Sequence, residues 1–438
     1  VPSYNLMLDP SRSQNLDRAL AFASRCLNQP AIELRETLDE GGGASSFRPI
    51  LIAEALSLSE VAEIEAVALE YPEFTIEVGH LRLYRNGPIT AHALGYLGEV
   101  NEKDLASQAS PFKPGDLIGR KGVELAFDET LRGIDGQRAV IVDSRGRLKE
   151  EYGRDPAKSG NNLNLGLDLD LQQEAARYFE GKAGAAVALD PASGEIRAMV
   201  SAPSYNPNIF SRRLDRDAWR NLIEAPEDPL QNRVIQNTYS PGSVFKIVMA
   251  AAGLGEGITG SEETVWCGGA TRIYNRRFRC WKRGGHGHVA MHRAIKESCD
   301  VYFYHLGKEL GIERIAEYAR RLGLGRPTGI DLLGEQDGLV PDPDWSARRR
   351  GTPWYPGEAV SVSIGQGPVL ATALQMARAY AALANGGRLV TPHLVERAVR
   401  PAAEDLGLDP DHLALVVEGL RMAVHGKDGT ARSLARLP

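Results

Sequence analysis

The sequence is 438 residues long, with 51 basic and 57 acidic side chains and a formal net charge of −6. Its 43% hydrophobic and 25% charged residues are typical of globular proteins and exclude a disordered, collagen-like or disulfide-dense chain. The mildly acidic balance, without a basic stripe, argues against nucleic acid as the main partner. The length predicts two or three domains.

The first part of the chain reads as an irregular α+β module. Helices are predicted over 11–27 and 58–70, the second with a capping box formed by Ser57 and Glu60. Short β-like runs follow at 74–78, 81–84 and 139–142. A polar stretch over 153–162 indicates a connection, so we predict one domain over 1–160 and a second over 161–438.

The second part reads as an α+β domain with an antiparallel sheet and helices on its faces. Alternating leucines predict a strand over 163–168, followed by a helix over 169–179. A turn over 190–194 between two β-like runs predicts a hairpin. Helical periodicity then dominates, and further strands are expected at the end of the domain. The predicted helices cover 244–255, 289–297, 301–309, 312–322 and 372–385.

The most informative motif places a serine three residues before a lysine at the start of an apolar helix. Pro241-Gly242 forms a turn, Ser243 follows, and Lys246 lies one turn later on the same face. A serine hydroxyl needs a neighbouring base to become a nucleophile, and a partly buried lysine held neutral can serve. Only 11 of the 51 basic residues are lysine, which gives this match added weight. The pair is therefore a candidate nucleophile and base for acyl transfer.

A second motif, Ser298-Cys299-Asp300, lies between two predicted helices. A hydroxyl and a short carboxylate on a tight interhelical turn can relay a proton and hold the lysine. Either Ser298 or Asp300 can also serve as the N-cap of the next helix, and that role does not exclude the first.

Four cysteines are too few for a disulfide framework, but two of them, Cys267 and Cys280, flank a basic aromatic loop. Three interpretations stay open for this pair. They form a local disulfide in an exported protein, they are buried free thiols, or they bind a structural zinc ion together with His286 and His288. The spacing of the cysteines is not that of a standard zinc finger.

The order of the two serine motifs is that of penicillin-interacting serine enzymes. Almost the whole chain resembles class B penicillin-binding proteins, and among these the elongation-type subfamily, penicillin-binding protein 2. The stretches that carry the resemblance, besides the motifs at Ser243 and Ser298, lie at 91–98, 119–124, 167–172, 202–208, 285–288, 298–304 and 364–367.

The resemblance implies a non-catalytic pedestal or dimerisation-type domain followed by a transpeptidase domain that needs no cofactor. Ser243 would attack the penultimate D-Ala carbonyl of a peptidoglycan stem peptide, with Lys246 as its base. Ser298 and Asp300 would shuttle protons and order the lysine. An amine from a neighbouring strand would then complete the cross-link, and β-lactams would acylate Ser243 as substrate mimics. The implied partner is RodA, a glycan polymerase of the SEDS family, at the periplasmic face of the cytoplasmic membrane.

Three other functions are weighed against this one. A D,D-carboxypeptidase or β-lactamase-like hydrolase would use water as acceptor, but the long first domain argues against it. A division-type class B protein is disfavoured by the segments at 285–288 and 364–367. A non-catalytic activator of a membrane glycan polymerase is disfavoured by the intact Ser243 and Lys246.

Both ends of the sequence bear on these expectations. The chain lacks an initiator methionine, a signal peptide and 18 consecutive apolar residues, so we expect the single-pass membrane anchor upstream. The family also has a third motif, Lys-Thr/Ser-Gly, on a late strand. Lys427-Asp428-Gly429-Thr430 resembles it, but Asp428 would put a negative charge where a substrate carboxylate binds. Gly429-Thr430-Ala431 fits a segment that precedes the true motif, so we expect that motif and the last strands beyond Pro438.

Overall fold

A computed structural model describes residues 1–41, 49–106, 112–113, 115–143, 148–211, 216–396 and 401–436. This part of the chain contains both helices and antiparallel strand pairs, and the predicted α+β class is confirmed. Among the described residues, no helix combines the length and the apolar character that crossing a membrane requires. The strands are β1 Pro2–Leu8, β2 Ile50–Ala53, β3 Phe74–His80, β4 Leu97–Glu99, β5 Leu117–Gly119, β6 Gln137–Val142, β7 Leu148–Asp155, β8 Gly184–Leu189, β9 Ile196–Ala202, β10 Val265–Cys267, β11 Ala270–Ile273, β12 Arg276–Arg279, β13 Gly287–Val289, β14 Arg388–Leu389 and β15 Glu404–Asp405.

Most helices are short, and the longest, α12, contains a kink at Gly311, whose φ of +70° interrupts the helical backbone. The helices are α1 Leu16–Leu27, α2 Ala31–Glu40, α3 Leu58–Ala66, α4 Ala91–Leu94, α5 Glu102–Leu105, α6 Gly122–Ala126, α7 Asp128–Leu131, α8 Leu169–Arg177, α9 Arg216–Ile223, α10 Lys246–Gly255, α11 Met291–Lys296, α12 Asp300–Arg321, α13 Pro343–Trp345, α14 Pro356–Val362, α15 Ala373–Ala384 and α16 Pro410–His425.

The chain divides into two compact units, residues 1–162 with 205–224 and residues 163–204 with 225–438. In the first unit, β1 pairs antiparallel with both β2 and β3, and Leu6 lies opposite Ala53 on one side and Ile76 on the other. Helices α1, α2 and α3 pack with this sheet around a core that includes Leu6, Leu20 and Leu38. Burying side chains of this size stabilises the unit by about 1.5–3 kcal/mol each.

Helix α3 begins as the sequence predicts. The Ser57 hydroxyl accepts the Glu60 amide, and the Glu60 carboxylate accepts the Ser57 amide at 2.6 Å, which confirms the capping box. The strand predicted over 81–84 is wrong, since these residues form no ladder. Tyr84 instead turns inward, and its hydroxyl donates to Glu124 at 3.2 Å.

Residues 205–224 belong to the first unit because their aromatic rings pack there. Phe210 stacks on Tyr96 at a centroid distance of 3.8 Å, and Tyr205 meets the same ring edge-on at 5.8 Å. The Asn208 side chain pairs with both backbone groups of Tyr84, at 2.9 Å each.

The second unit contains the predicted hairpin, in which β8 and β9 pair antiparallel. Helix α8 is fixed to β9 by the fully buried Gln172, whose amide donates to the Met199 carbonyl at 2.8 Å and accepts the Met199 amide at 2.7 Å. The strand predicted over 163–168 is wrong. These residues form no regular ladder, and only a single bridge, between Leu165 and Val395, is present.

Helix α10 lies at the centre of the second unit, and every residue from Lys246 to Leu254 is buried. A helix that is apolar all round belongs in a core, and α12 and α16 both pack against it. Lys246 is the exception in this helix, a single charge within an apolar sequence.

Candidate active site

Ser243 lies on a 3₁₀ turn, Gly242–Phe245, that leads directly into α10. Gly242 adopts a φ of +61°, which turns the chain into the helix, and glycine tolerates this conformation without strain. The three-residue spacing puts Ser243 and Lys246 on one face, as predicted. Ser243 is exposed, whereas Lys246 is only 3% exposed. The site therefore combines an accessible hydroxyl with a buried amine.

Gly365 supports the turn from behind. The Gly242 amide donates to the Gly365 carbonyl at 2.9 Å. A Cβ atom at position 365 would lie 2.2 Å from the Gly242 carbonyl oxygen, and the φ of +68° there also favours glycine. This close approach explains why a glycine is needed in the segment 364–367.

Ser298 joins the site from the turn between α11 and α12. Its φ of +51° is unusual for a residue with a side chain. In this position the Ser298 hydroxyl lies 3.1 Å from the Ser243 hydroxyl and 2.9 Å from Lys246 Nζ. Lys246 Nζ also donates to the Ser298 carbonyl at 3.0 Å and to Asp300 Oδ1 at 2.6 Å. One continuous hydrogen-bond chain thus links Ser243, Ser298, Lys246 and Asp300.

The structure brings together all four residues that the two serine motifs predict, with one difference in their order. Lys246 makes no direct hydrogen bond to Ser243 among the described contacts, and Ser298 lies between them. The capping role considered for Ser298 and Asp300 is wrong. Cys299 is the N-cap residue of α12 and makes no side-chain capping bond, while Asp300 is the first helical residue.

Trp281 is a contact that the sequence motifs did not reveal. Its backbone amide donates to Asp300 Oδ2 at 3.0 Å, opposite the oxygen that binds Lys246. Its indole Nε1 donates to the carbonyls of Glu297 and Ser298 at 3.0 and 3.1 Å. The residue therefore holds both ends of the Ser298–Asp300 turn. An aromatic residue next to a cysteine carries no sequence signal for this role.

A cluster of three cysteines and one histidine lies beside the same turn. The potential ligand atoms of Cys267, Cys280, His286 and Cys299 all lie within 4.8 Å of one another, and all four residues are buried. Every cysteine of the chain lies in the described part and is a free thiol, so the structure contains no disulfide between Cys267 and Cys280. Because Cys299 donates a hydrogen bond to it, the pKa of the Cys280 thiol is lowered, and the same contact raises the pKa of Cys299.

The predicted ligand set is wrong at one position. His288 lies opposite Trp266 in the β10–β13 pair, and directly opposed residues share a face, so it faces the exposed Trp266 ring and not the cluster. Cys299 takes the fourth place instead. The sequence hides this residue because it lies between Ser298 and Asp300, far from the other two cysteines.

The donors in this cluster suit a metal ion. His286 directs Nδ1 at the thiols of Cys267 and Cys280, 3.4 and 3.6 Å away. Its buried Nε2 has no hydrogen-bond partner and lies 3.9 Å from Glu297 Oε2, which also has none. Three soft thiolates with one imidazole form a common tetrahedral zinc set, and a carboxylate facing the second ring nitrogen is usual for a ligating histidine.

Lys427 lies in a turn after α16 and not on a strand. Its carbonyl accepts a bond from Arg432, and the Thr430 amide next to it donates to the Lys296 carbonyl at 3.2 Å. No described contact joins Lys427 to Ser243 or Lys246.

Comparisons with known proteins show which families this chain resembles. The model of the penicillin binding protein transpeptidase domain matches residues 184–437, and that of the penicillin-binding protein dimerisation domain matches residues 1–165. Over 402 residues the chain is 40% identical to the peptidoglycan D,D-transpeptidase MrdA of Acinetobacter baumannii, covering 90% of this chain and 59% of that protein. Its counterpart in Escherichia coli K12 is 31% identical over 399 residues, with 90% and 63% covered. The chain thus spans about three fifths of these curated relatives.

Solved structures show the same likeness. The structure of PBP2 in complex with MreC from Helicobacter pylori matches with a TM-score of 0.90 and 28% identity, covering 100% of this chain and 82% of that one. Pseudomonas aeruginosa PBP2 in complex with WCK 5153 matches with a TM-score of 0.71 and 34% identity, covering 82% and 78%. Since the transpeptidase model alone covers more than half of the sequence, the chain belongs to the penicillin-binding protein transpeptidase family.

Proposed function

We propose that the protein is a serine D,D-transpeptidase that cross-links peptidoglycan stem peptides during cell elongation. The observation that carries this proposal is the unbroken hydrogen-bond chain from the exposed Ser243 hydroxyl through Ser298 to the buried Lys246–Asp300 pair. The identity to curated MrdA transpeptidases over 90% of the chain supports the same reaction.

Acylation begins when Ser243 Oγ attacks the carbonyl carbon of the penultimate D-Ala. In the resting site Lys246 donates to three oxygens, so its nitrogen can accept a proton only after one of its own moves to Asp300, its shortest contact at 2.6 Å. The Ser243 proton then passes to Ser298 Oγ, and the Ser298 proton passes to Lys246. When the peptide C–N bond breaks, the same path returns a proton to the leaving amine and D-Ala is released.

Deacylation uses the relay a second time. An amine from a neighbouring peptide attacks the ester carbonyl and passes its proton through Ser298 to Lys246, and the bond from the carbonyl carbon to Ser243 Oγ breaks. The serine recovers its proton along the same path. A β-lactam would acylate Ser243 by the first step alone. Water as the acceptor would make the protein a hydrolase instead, the alternative weighed from the sequence.

Fluorescent penicillin labelling of the full-length protein tests this proposal. We expect the wild type to be labelled on Ser243, and Ser243→Ala to take no label. Ser240→Ala, an exposed serine two residues before the Gly242–Phe245 turn, is the matched control and should label normally. An unlabelled wild type would contradict an enzymatic function and would favour a non-catalytic activator of a membrane glycan polymerase.

The arrangement of the whole protein is part of the proposal. Residues 1–162 with 205–224 form a non-catalytic pedestal, residues 163–204 with 225–438 form the catalytic domain, and the protein acts at the periplasmic face of the cytoplasmic membrane. The likeness to a PBP2 solved with MreC and to a peptidoglycan synthase complex supports elongation proteins as partners, among them the polymerase RodA.

We propose in addition that Cys267, Cys280, Cys299 and His286 hold a structural zinc ion. Bound there, zinc would fix Cys299 and with it the Ser298–Asp300 turn, because Cys299 is the residue between them. Elemental analysis of protein purified without added metal should give one zinc per chain. Cys280→Ser should lose the metal, while Cys26→Ser, a buried cysteine in the first unit, should keep it. A metal-free wild type would show that the cluster is a set of buried thiols.

A further inference from the structure

The chain carries its positive charge unevenly. Between residues 264 and 296 it has eight basic side chains and no acidic one, although the whole sequence has a net charge of −6. Six of the eight precede His286 and are exposed, namely Arg272, Arg276, Arg277, Arg279, Lys282 and Arg283. They lie on the β11–β12 hairpin and on the loop that follows it.

Strand pairing collects three of these arginines on one face. Arg272 lies directly opposite Arg277, and Arg279 lies two residues further along β12, so the three side chains project to the same side. The other face of the hairpin packs on α12. Phe278 lies 5.3 Å from the Tyr304 ring, and Thr271 Oγ1 lies 2.9 Å from His305 Nε2. We call Arg272, Arg277 and Arg279 the arginine face.

The arginine face is not neutralised by the protein. Like charges directly opposite each other in a strand pair are unfavourable. Among the described residues, no carboxylate forms an ion pair with any of the three guanidinium groups, and none of these side chains makes a recorded hydrogen bond. The fold therefore maintains an unfavourable concentration of cations that an anionic ligand would relieve.

The hairpin connects directly to the catalytic hydrogen-bond chain. Arg279 is two residues from Trp281, whose amide contacts Asp300 at 3.0 Å and whose indole contacts the Ser298 carbonyl at 3.1 Å. Two residues span at most about 7 Å of backbone. Tyr304, in the first turns of α12 after Asp300, donates to the Arg279 carbonyl at 3.2 Å and fixes this end of the hairpin. The arginine face is therefore joined, through Arg279 and Trp281, to the segment that contacts the Ser298–Asp300 turn.

We propose that the arginine face binds carboxylate groups of the acidic peptide that acylates Ser243, and so selects donors that carry free acids upstream of the D-Ala-D-Ala end. This inference rests on the proposed transpeptidase function and names a specificity determinant for it. Planar guanidinium groups pair with carboxylates through two parallel hydrogen bonds. Three cations on one hairpin match a short acidic peptide better than nucleic acid or a membrane, which need a longer basic stripe.

The test compares two synthetic thioester donors that share one peptide sequence, one with free internal carboxylates and one with these groups amidated. For the full-length wild type we expect kcat/KM for acylation to favour the free-acid donor by about tenfold or more at low salt. The preference should fall as ionic strength rises, since charges on an exposed surface are screened over about 10 Å at 0.1 M salt. The triple variant R272Q/R277Q/R279Q should lose both the preference and the salt dependence, and Arg277→Gln alone should lose part of the preference.

Two controls separate specificity from folding. The variant R348Q/R349Q/R421Q removes three exposed arginines elsewhere and should keep the wild-type preference. Fluorescent penicillin should label wild type and both triple variants at equal rates, because the small probe does not need the arginine face. If the triple variant is poorly labelled, its fold is disturbed. The two donors are then compared on Arg277→Gln alone, which should lose part of the preference.

The outcomes distinguish this inference from the proposed function. A wild type that takes no penicillin label would contradict the proposed transpeptidase function itself. A labelled wild type that does not discriminate between the donors, or arginine variants that keep full discrimination, would overturn only the arginine face. Loss of binding to phosphatidylglycerol vesicles in the triple variant, with donor preference unchanged, would overturn it in favour of a lipid surface.

Discussion

At the scale of single residues, the site depends on atoms that the motifs do not name. Ser243 and Lys246 are set by their spacing, but the geometry of their link depends on Ser298 at a φ of +51°. A residue with a side chain holds that conformation only when its surroundings enforce it. Trp281 holds the Ser298 turn through the carbonyls of Glu297 and Ser298, and Gly365 supports the Ser243 turn from a different segment. Substitutions of Trp281 and Gly365 test these two supporting roles.

Trp281→Phe keeps the aromatic ring and removes the indole N–H that bonds the Glu297 and Ser298 carbonyls. We expect the first-order acylation constant for fluorescent penicillin to fall about tenfold, equivalent to about 1.4 kcal/mol of barrier, with little change in the noncovalent binding constant. Rapid-mixing fluorescence separates the two constants. Trp266→Phe is the matched control, since Trp266 is similarly exposed and its indole donates no hydrogen bond to any residue in the described part of the chain. An equal effect in both variants would show that Trp281 does not position the turn.

Gly365→Ala should disable the turn that carries Ser243. The new methyl group would overlap the Gly242 carbonyl at 2.2 Å, whereas Gly386, at a similar positive φ, has no atom within 4 Å of the corresponding point. Both substitutions carry a backbone strain of about 1–2 kcal/mol and should lower Tm. Gly365→Ala should lower it further, because its methyl group also overlaps the Gly242 backbone. Only Gly365→Ala should also lose most penicillin labelling, measured at a temperature where both variants are folded. Normal labelling of Gly365→Ala would mean that the turn can shift without harm to Ser243.

At the scale of elements, the sequence predicted what is encoded locally. The Ser57–Glu60 capping box, the β8–β9 hairpin and α10 follow from caps, turn residues and periodicity, each of which lies within a short window. The runs at 81–84 and 163–168 had the same local pattern but form no regular ladder, because a strand depends on a partner that is distant in sequence. The prediction that His288 belongs to the metal cluster fails for a related reason, since only the pairing of β13 with β10 shows that His288 lies opposite Trp266.

The contact between α8 and β9 is an element-scale feature with a measurable energy. Gln172 is fully buried and satisfies both backbone groups of Met199, in the way that a neighbouring strand would. Gln172→Leu keeps the volume but leaves a buried donor and acceptor without partners, at about 1–3 kcal/mol each. We expect a loss of about 2–4 kcal/mol in the free energy of unfolding, measured by urea denaturation. Gln173→Leu, one position along the same helix, should change it by less than about 0.5 kcal/mol. Equal losses in the two variants would contradict the role given to Gln172.

At the scale of the whole molecule, the net charge of the chain does not show which charged side chains the fold brings together. The net charge of −6 and the lack of a basic stripe argued against a charged ligand surface of the nucleic-acid type. Yet the pairing of β11 with β12 gathers three arginines that are up to seven positions apart in the sequence. In the same way, the two units are not consecutive segments. The chain passes between them three times, after residues 162, 204 and 224, because residues 205–224 return to the first unit.

This interleaving predicts how a fragment will behave. In a fragment of residues 163–438, Tyr205 and Phe210 lose Tyr96, the ring on which Phe210 stacks at 3.8 Å. Rings that are 4% and 8% exposed in the full chain would become accessible, and such apolar surface favours association. We expect the fragment to bind the dye ANS and to form soluble aggregates in size-exclusion chromatography, unlike the full chain.

Tyr205→Ser with Phe210→Ser should restore much of the monomer. Tyr178→Ser with Tyr355→Ser, which removes two rings already exposed in the full chain, should restore none. A monomeric fragment that does not bind ANS would contradict this prediction. It would show that residues 205–224 pack against other residues of the fragment, and that the chain can be divided at residue 163 without exposing apolar surface.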